Sequence, residues 1–314
     1  MDGLLIIDKP AGPTSHDVVA RVRRAIGERR IGHTGTLDPM ATGVLPLVLG
    51  RATRLARFLS GSAKSYEATI RFGLATDTAD ASGAALGPEH PGPLPSRDEV
   101  ERALEAFRGT YQQQPPAFSA KKIEGRRSYV LARRARREAS PAGAAAAFRA
   151  TADPPALPAP VTVTVQRLEI IAWGGGTVAI SLTGSPGFYV RALAHALGER
   201  LGVGAHLEAL RRTASGDLDL SLAIPLEQAE RDPAAARARI VPLDRMLAGL
   251  PAVRLTADGA RRAAHGSDLG PADAEGPWLE GAGEVRLLDP AGRLVGVARG
   301  AHRPGFLHPS VVLS

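Results

Sequence analysis

The chain has 314 residues, 44% of them hydrophobic, which suggests two domains, and it holds no apolar run of the roughly 18–20 residues that a membrane helix needs. It has no cysteine, which excludes disulfides, thiolate nucleophiles and zinc ribbons, and its eight histidines lie scattered without the paired spacing of a metal site. Net charge is +7, and residues 121–137, KKIEGRRSYVLARRARR, hold eight basic residues against one acid, as much charge as the whole chain. A local basic stripe is the electrostatic footprint of a polyanion, or else a solvated helix face.

The N-terminal GLLII is too short for a signal-peptide core and Asp8 and Lys9 follow at once, so a cytoplasmic protein is expected. Residues 4–8 predict a short buried strand. Thr14-Ser15 then caps a helix whose Val18, Val19, Val22 and Ile26 share one face, and Gly27 ends it. The stretch RIGHTGTLDPMATGVLPLVLG, residues 30–50, is rich in glycine and carries a single carboxylate, Asp38. Asp followed by Pro is an ordinary helix start, with Asp as N-cap and Pro at the first helical position. The alternative is chemistry, with the glycines letting a bulky substrate approach the backbone closely.

RATRLARFL predicts a short helix, and KSYEATIRF alternates as a half-buried strand, with Tyr66, Ala68, Ile70 and Phe72 on one side and Glu67, Thr69 and Arg71 on the other. Residues 74–95 read as loop. Ser96 and Glu99 form a capping box for a helix with Val100, Ala103, Leu104 and Phe107 inward. Pro115-Pro116 forces extension before the basic stripe, and residues 138–160, rich in Ala and Pro, read as a flexible insert. Two strands, VTVTVQRLEII and TVAISLT, lead through a glycine turn to a helix from about Tyr189 to Leu201. In its first turn stands Arg191, a cation beside the positive end of the helix dipole; that placement calls for a nearby carboxylate, a surface arginine being the alternative. From about residue 250 the pattern is short strands and turns, with EVRLLDPAGRLVGVA a hairpin across Asp289–Gly292. Irregular alternation of helices and strands predicts an α+β fold with a mixed or antiparallel central sheet.

Five stretches in this order, GLLIIDKPAGPTSHDVV, GHTGTLDPMATGVLPL, KSYEATIRFG with TDTADASG, QPPAFSAKKIEGRRSY and FYVRALAHALGERLGVGAHLEALRRT, resemble the bacterial tRNA pseudouridine-55 synthases of the TruB family, and the match spans residues 3–216. The resemblance implies a pseudouridine synthase domain over 1–249, its sheet flanked by helices, and a small PUA-like RNA-binding domain over 250–314. It implies isomerisation of one uridine in the T loop of tRNA, with Asp38 catalytic, acting either by attack on the sugar carbon or by assisting elimination to a glycal. Tyr66 would stack on the flipped base and assist proton removal at C5, and Arg191 would pair with Asp38. The substrate-binding candidates are His33, which would support the rearranged T loop, Leu210, which would line the uracil pocket, Tyr189, Lys9, and Lys121, Arg126, Arg133 and Arg134 of the basic stripe. No cofactor, metal or membrane is implied, and a monomer is expected. Phe118 stands where the family usually has tyrosine, and Ala196 where aspartate is frequent; neither replaces Asp38, Tyr66 or Arg191.

Overall fold

The computed structural model describes residues 1–118, 122–123, 126–127, 157–279 and 283–313. In chain order, strand β1 (Gly3–Lys9) leads to helix α1 (Ser15–Ile26), strands β2 (Ile31–His33) and β3 (Thr42–Leu49), and, after a 3-10 turn, helix α2 (Ala56–Ser60). Strand β4 (Lys64–Phe72), helix α3 (Arg97–Leu104) and strand β5 (Gly109–Gln113) follow, then the two-residue strands β6 (Lys122–Ile123) and β7 (Arg126–Arg127). Strands β8 (Val161–Gly174) and β9 (Thr177–Gly184), helix α4 (Val190–Arg200) and strand β10 (Ala205–Ser215) complete the middle of the chain. The remainder holds β11 (Leu218–Asp219), β12 (Ile224–Pro225), α5 (Leu226–Arg231), α6 (Pro233–Ala238), β13 (Val241–Pro242), β14 (Ala252–Arg254), α7 (Ala257–Ala264), β15 (Val285–Leu288), β16 (Leu294–Gly300) and β17 (Leu307–Val312). The contacts divide the chain into two units, one of residues 1–39, 43–61 and 217–314, the other of 40–42 and 62–216.

In the first unit β1 is buried along almost its whole length, as its unbroken apolar run dictates. It pairs antiparallel with β3, from Gly3 opposite Leu49 to Lys9 opposite Gly43, and parallel with β12. Helix α1 begins where its sequence says. Thr14 accepts from the Asp17 amide while the Asp17 carboxylate accepts from the Thr14 amide, and Gly27 closes the helix at φ 71°. The expected hairpin is β15–β16; its turn is held by Asp289, whose carboxylate accepts from the amides of Ala291 and Arg293. The tail from residue 250 carries its own sheet, β14-β15-β16-β17, over a core of Val253, Leu255, Leu269, Val285, Leu287 and Leu307. Three of its residues, Leu294, Val297 and Leu313, enter a cluster with Leu4, Ile6, Val44, Val48 and Leu55 from the start of the chain. Arginines 51, 54 and 57 reach the same end of the chain, donating to the Leu313 carbonyl, the Val312 carbonyl and the Ser310 hydroxyl.

The second unit is built on the antiparallel order β10-β4-β9-β8-β5. Strand β4 lies between β10 and β9, with the expected alternation of buried and more exposed residues from Ala68 to Phe72. The β8–β9 hairpin turns at Gly174, Gly175 and Gly176, all with positive φ. Helix α3 has the predicted capping box between Ser96 and Glu99. Helix α4 packs on β10 and β4, and at Gly198 the approach is so close that a Cβ would lie 2.2 Å from the Ala205 nitrogen.

Candidate active site

Asp38 lies on the loop between β2 and β3 in the first unit, and no helix begins there. Pro39 and Met40 form a turn that runs into β3, so the helix-cap reading of Asp-Pro is corrected. Tertiary bonds override the local preference. On one side of Asp38 the buried Ser15 hydroxyl receives a hydrogen bond from the Leu37 amide (2.8 Å) and donates to the Leu37 carbonyl (3.2 Å). On the other side the Pro39 carbonyl accepts from the Lys9 ammonium (3.1 Å) and from the Gly12 amide (2.8 Å). The carboxylate therefore sits on a peptide segment anchored at both flanks.

Lys9 has 0% exposure, and its ammonium also donates to the Pro10 carbonyl. The buried ammonium holds the Asp38 loop from one side. His33 ends β2 with its ring edge-on to His16 at 5.3 Å. Gly43, which begins the pairing of β3 with Lys9, has φ 100°, a conformation in which a side chain would be strained.

Tyr66, Tyr189, Arg191 and Leu210 belong to the second unit. Arg191 is 5% exposed, which excludes the surface reading. One carboxylate beside it is that of Asp80, itself 5% exposed, with Nε and Oδ2 3.7 Å apart. The guanidinium further donates to the carbonyls of Thr78 (3.0 Å) and Phe118 (2.9 Å). Asp80 is fixed through its other oxygen, which accepts from the Thr78 hydroxyl, the Ser82 amide and the Ser82 hydroxyl. The loop that presents it is tight: Ala79 has φ 59°, and a Cβ on Gly83 would lie 2.4 Å from the Thr78 hydroxyl oxygen. TDTADASG therefore supplies a buried anion that reasoning from spacing alone missed.

Tyr66 is half-buried on β4, with Arg212 opposite it on β10 and Leu182 on β9. Arg212, not foreseen as a site residue, is 2% exposed and hydrogen-bonds Tyr66. Burial lowers its affinity for a proton, and Tyr66 opposes that shift. Two residues before Tyr66, the buried Lys64 ammonium donates to the Ser62 carbonyl, and burial with the charge of Arg212 brings its pKa down to about 8. Tyr189 precedes α4; its amide and carbonyl are both taken by the Gln113 side chain, at 2.8 and 3.0 Å. Leu210 is buried opposite Ala68, and its carbonyl accepts from Thr42.

Lys121, Arg133 and Arg134 lie outside the described residues, as does most of the Ala/Pro-rich stretch; Arg126 is described only as part of β7, paired with Ile123. Among the described residues no group of three or more acidic or histidine side chains is placed to hold a metal, and no helix is long and apolar enough to cross a membrane.

The chain, with an anchored aspartate in one unit and a strand tyrosine and buried arginines in the other, is a pseudouridine synthase by its relatives. The fold is shared with a chain of the archaeal box H/ACA sRNP Nop10-Cbf5 complex, at TM-score 0.68 over 99% of this chain and 86% of that one, with 24% identity. The model of the TruB family pseudouridylate synthase N-terminal domain matches residues 23–148, and that of the tRNA pseudouridylate synthase B C-terminal domain matches 191–248. A protein of Solibacter usitatus named tRNA pseudouridine synthase B is 41% identical over the full length of both chains, and one of Gloeobacter violaceus with the same name is 44% identical over all of this chain and 99% of that one. The chain belongs to the TruB family of pseudouridylate synthases.

Proposed function

We propose that this enzyme isomerises uridine 55 in the T loop of tRNA to pseudouridine, with Asp38 acting at the sugar, Tyr66 at the base and Arg191 as the cation that keeps Asp38 ionised. The observation that carries the reading is the anchoring of Asp38: an acid whose flanking peptides are fixed by Ser15, Lys9 and Gly12, on a turn where it caps no helix, is held for chemistry. Breaking the bond between N1 and C1′ develops positive character at the sugar, which a preorganised carboxylate stabilises or captures. Flipping the target base out of the folded loop costs a few kcal/mol, and stacking on the Tyr66 ring offsets it. His33, Tyr189 and Leu210 contact the flipped nucleotide and its loop, the basic stripe with Lys121, Arg126, Arg133 and Arg134 follows the phosphate backbone, and residues 250–314 act as a PUA-like RNA-binding domain on a cytoplasmic monomer.

The test is an unmodified tRNA transcript incubated with the enzyme and mapped for pseudouridine by position. The wild type should convert position 55, and Asp38→Asn, which keeps the shape and removes the charge, should form no product while binding tRNA normally. Turnover of Asp38→Asn within about tenfold of wild type would remove Asp38 from the chemistry.

A further inference from the structure

Strand β10 begins with a buried histidine to which the reaction, as described so far, gives no task. His206 is 6% exposed, and its Nδ1 lies 2.8 Å from the Leu74 carbonyl oxygen. A carbonyl only accepts, so Nδ1 carries the proton and donates. Leu74 stands just ahead of TDTADASG, the loop that presents Asp80. The next residue of β10 holds the far end of the same segment. The Leu207 amide donates to the Ala79 carbonyl (3.0 Å), and the Leu207 carbonyl accepts from the Ala81 amide (2.9 Å), so Asp80 is bridged to Leu207 from both sides. Just before the strand, the Gly204 carbonyl accepts from the Gly73 amide (3.0 Å).

Of the bonds in this seam, the one from His206 alone comes from a side chain; the others use backbone groups that any sequence supplies. Imidazole is a costly choice for a buried strand position, where valine or leucine would leave no polar atom to satisfy. What it secures is the start of the loop. From there the Thr76 hydroxyl donates to the Asp80 carbonyl (2.7 Å), which ties the start of the loop to the residue that faces Arg191. The Asp80–Arg191 pair spans 3.7 Å, and a small shift of the loop would lengthen it further.

We propose that His206 is a positioning residue for the isomerisation: by holding the Leu74 carbonyl it fixes where the loop puts Asp80, and through Asp80 it orients the Arg191 guanidinium. The inference rests on the reading of Arg191 given above. His206 itself makes and breaks no bond in the reaction. A carboxylate held in place before the substrate arrives costs nothing to reorganise during the chemical step, so slack in the loop appears as lost rate rather than lost binding.

The test is a double-mutant cycle on the whole enzyme, in single turnover at saturating tRNA, with tRNA affinity measured alongside. His206→Leu removes the donor and keeps an apolar side chain; it should slow the chemistry about tenfold or more and leave Kd within about twofold. His206→Asn, whose amide puts a donor near the place of Nδ1, should regain most of the rate, and His206→Gln, whose amide reaches the place of Nε2, should not. In an Asp80→Asn background the loss from His206→Leu should shrink to less than about threefold, because the carboxylate that the loop positions is already gone. Hydrogen exchange at the Ala81 and Ser82 amides reads the loop without catalysis: it should quicken in His206→Leu and return toward wild type in His206→Asn. A His206→Leu enzyme with wild-type rate overturns the proposal, as does a loss that multiplies unchanged onto that of Asp80→Asn, the mark of a histidine that serves the fold alone. If His206→Leu does not fold, the Asn and Gln variants decide, and equal rates for the two overturn it. A wild-type enzyme that forms no pseudouridine would instead overturn the underlying reading. The exchange rates would still decide the placement of the loop, and rates equal in wild type and His206→Leu would refute it.

Discussion

Asp80→Asn removes one charge from a buried pair and changes almost nothing else in shape. The oxygen that accepts from Thr78 and Ser82 is kept, because an amide oxygen can receive those three bonds. What changes is the atom 3.7 Å from the Arg191 Nε, where an NH2 group would now face a cation. Breaking a fully buried pair by removing one partner costs about 3–5 kcal/mol. Here Arg191 keeps its bonds to the Thr78 and Phe118 carbonyls, and the pair is looser than a direct contact, so the lower end applies, about 2–3 kcal/mol. That corresponds to a fall in Tm of about 5–10 °C. The assay is a urea titration in a Trp278→Phe background, where Trp173 on β8 is the one remaining tryptophan and reports the second unit. Pseudouridine formation should fall as well, since Arg191 loses the anion that orients it. A midpoint shift worth less than about 0.5 kcal/mol, the range of an unremarkable surface substitution, would refute the view that Asp80 and Arg191 stabilise one another.

Ser15→Ala deletes both bonds to Leu37 and should cost about 1–2 kcal/mol of stability; single-turnover rate should fall while tRNA affinity stays level, and an unchanged rate would separate the clamp from catalysis. Lys64 has a folded pKa of about 8, below its unfolded value of 10.5, so between those values the unfolded chain binds the extra proton and stability from this group rises with pH. Lys64→Met should therefore unfold at a higher temperature than wild type at pH 7, with the gap narrowing by pH 9.5; a gap that does not change with pH would mean that the ammonium carries no penalty. Deleting residues 251–314 should yield an unfolded or aggregating chain, because the cluster around Leu4, Ile6 and Val48 loses Leu294, Val297 and Leu313; a soluble truncation with wild-type far-UV circular dichroism would contradict this.

Local signals in the sequence located the elements whose ends are chemically marked. Thr14 with Asp17, Ser96 with Glu99 and Asp289 in its turn all do in the structure what their side-chain chemistry prescribes. Strand β10 was less legible: it carries Glu208, Arg211 and Arg212, and bulges after Leu207 and Arg212 break the period of two that marks a strand. Asp38 shows the limit of dipeptide preference, since Asp-Pro begins a helix only if nothing else holds the backbone, and here Ser15 and Lys9 hold it. Asp80 and Arg212 escaped for a different reason. Their meaning lies in partners far along the chain, Arg191 for one and Tyr66 for the other, and no local pattern encodes such a pairing. Lys9 and Arg212, at 0% and 2% exposure, also defeat the ordinary expectation that long cations lie at the surface.

The first unit is assembled from segments far apart in the sequence, which sets a timetable for its birth. Strand β1 needs β12, the Arg21 guanidinium needs Glu230 across 209 residues, and Arg54 needs the Val312 carbonyl across 258. At about 5–20 residues per second, a translating ribosome takes roughly ten seconds or more to deliver the intervening chain. Through that interval the apolar β1 waits without its final partners. The middle unit, almost entirely continuous in sequence, emerges whole in the meantime. We expect it to fold first, with β1 as the segment that a chaperone must shield until β12 and the Val312 region have left the exit tunnel.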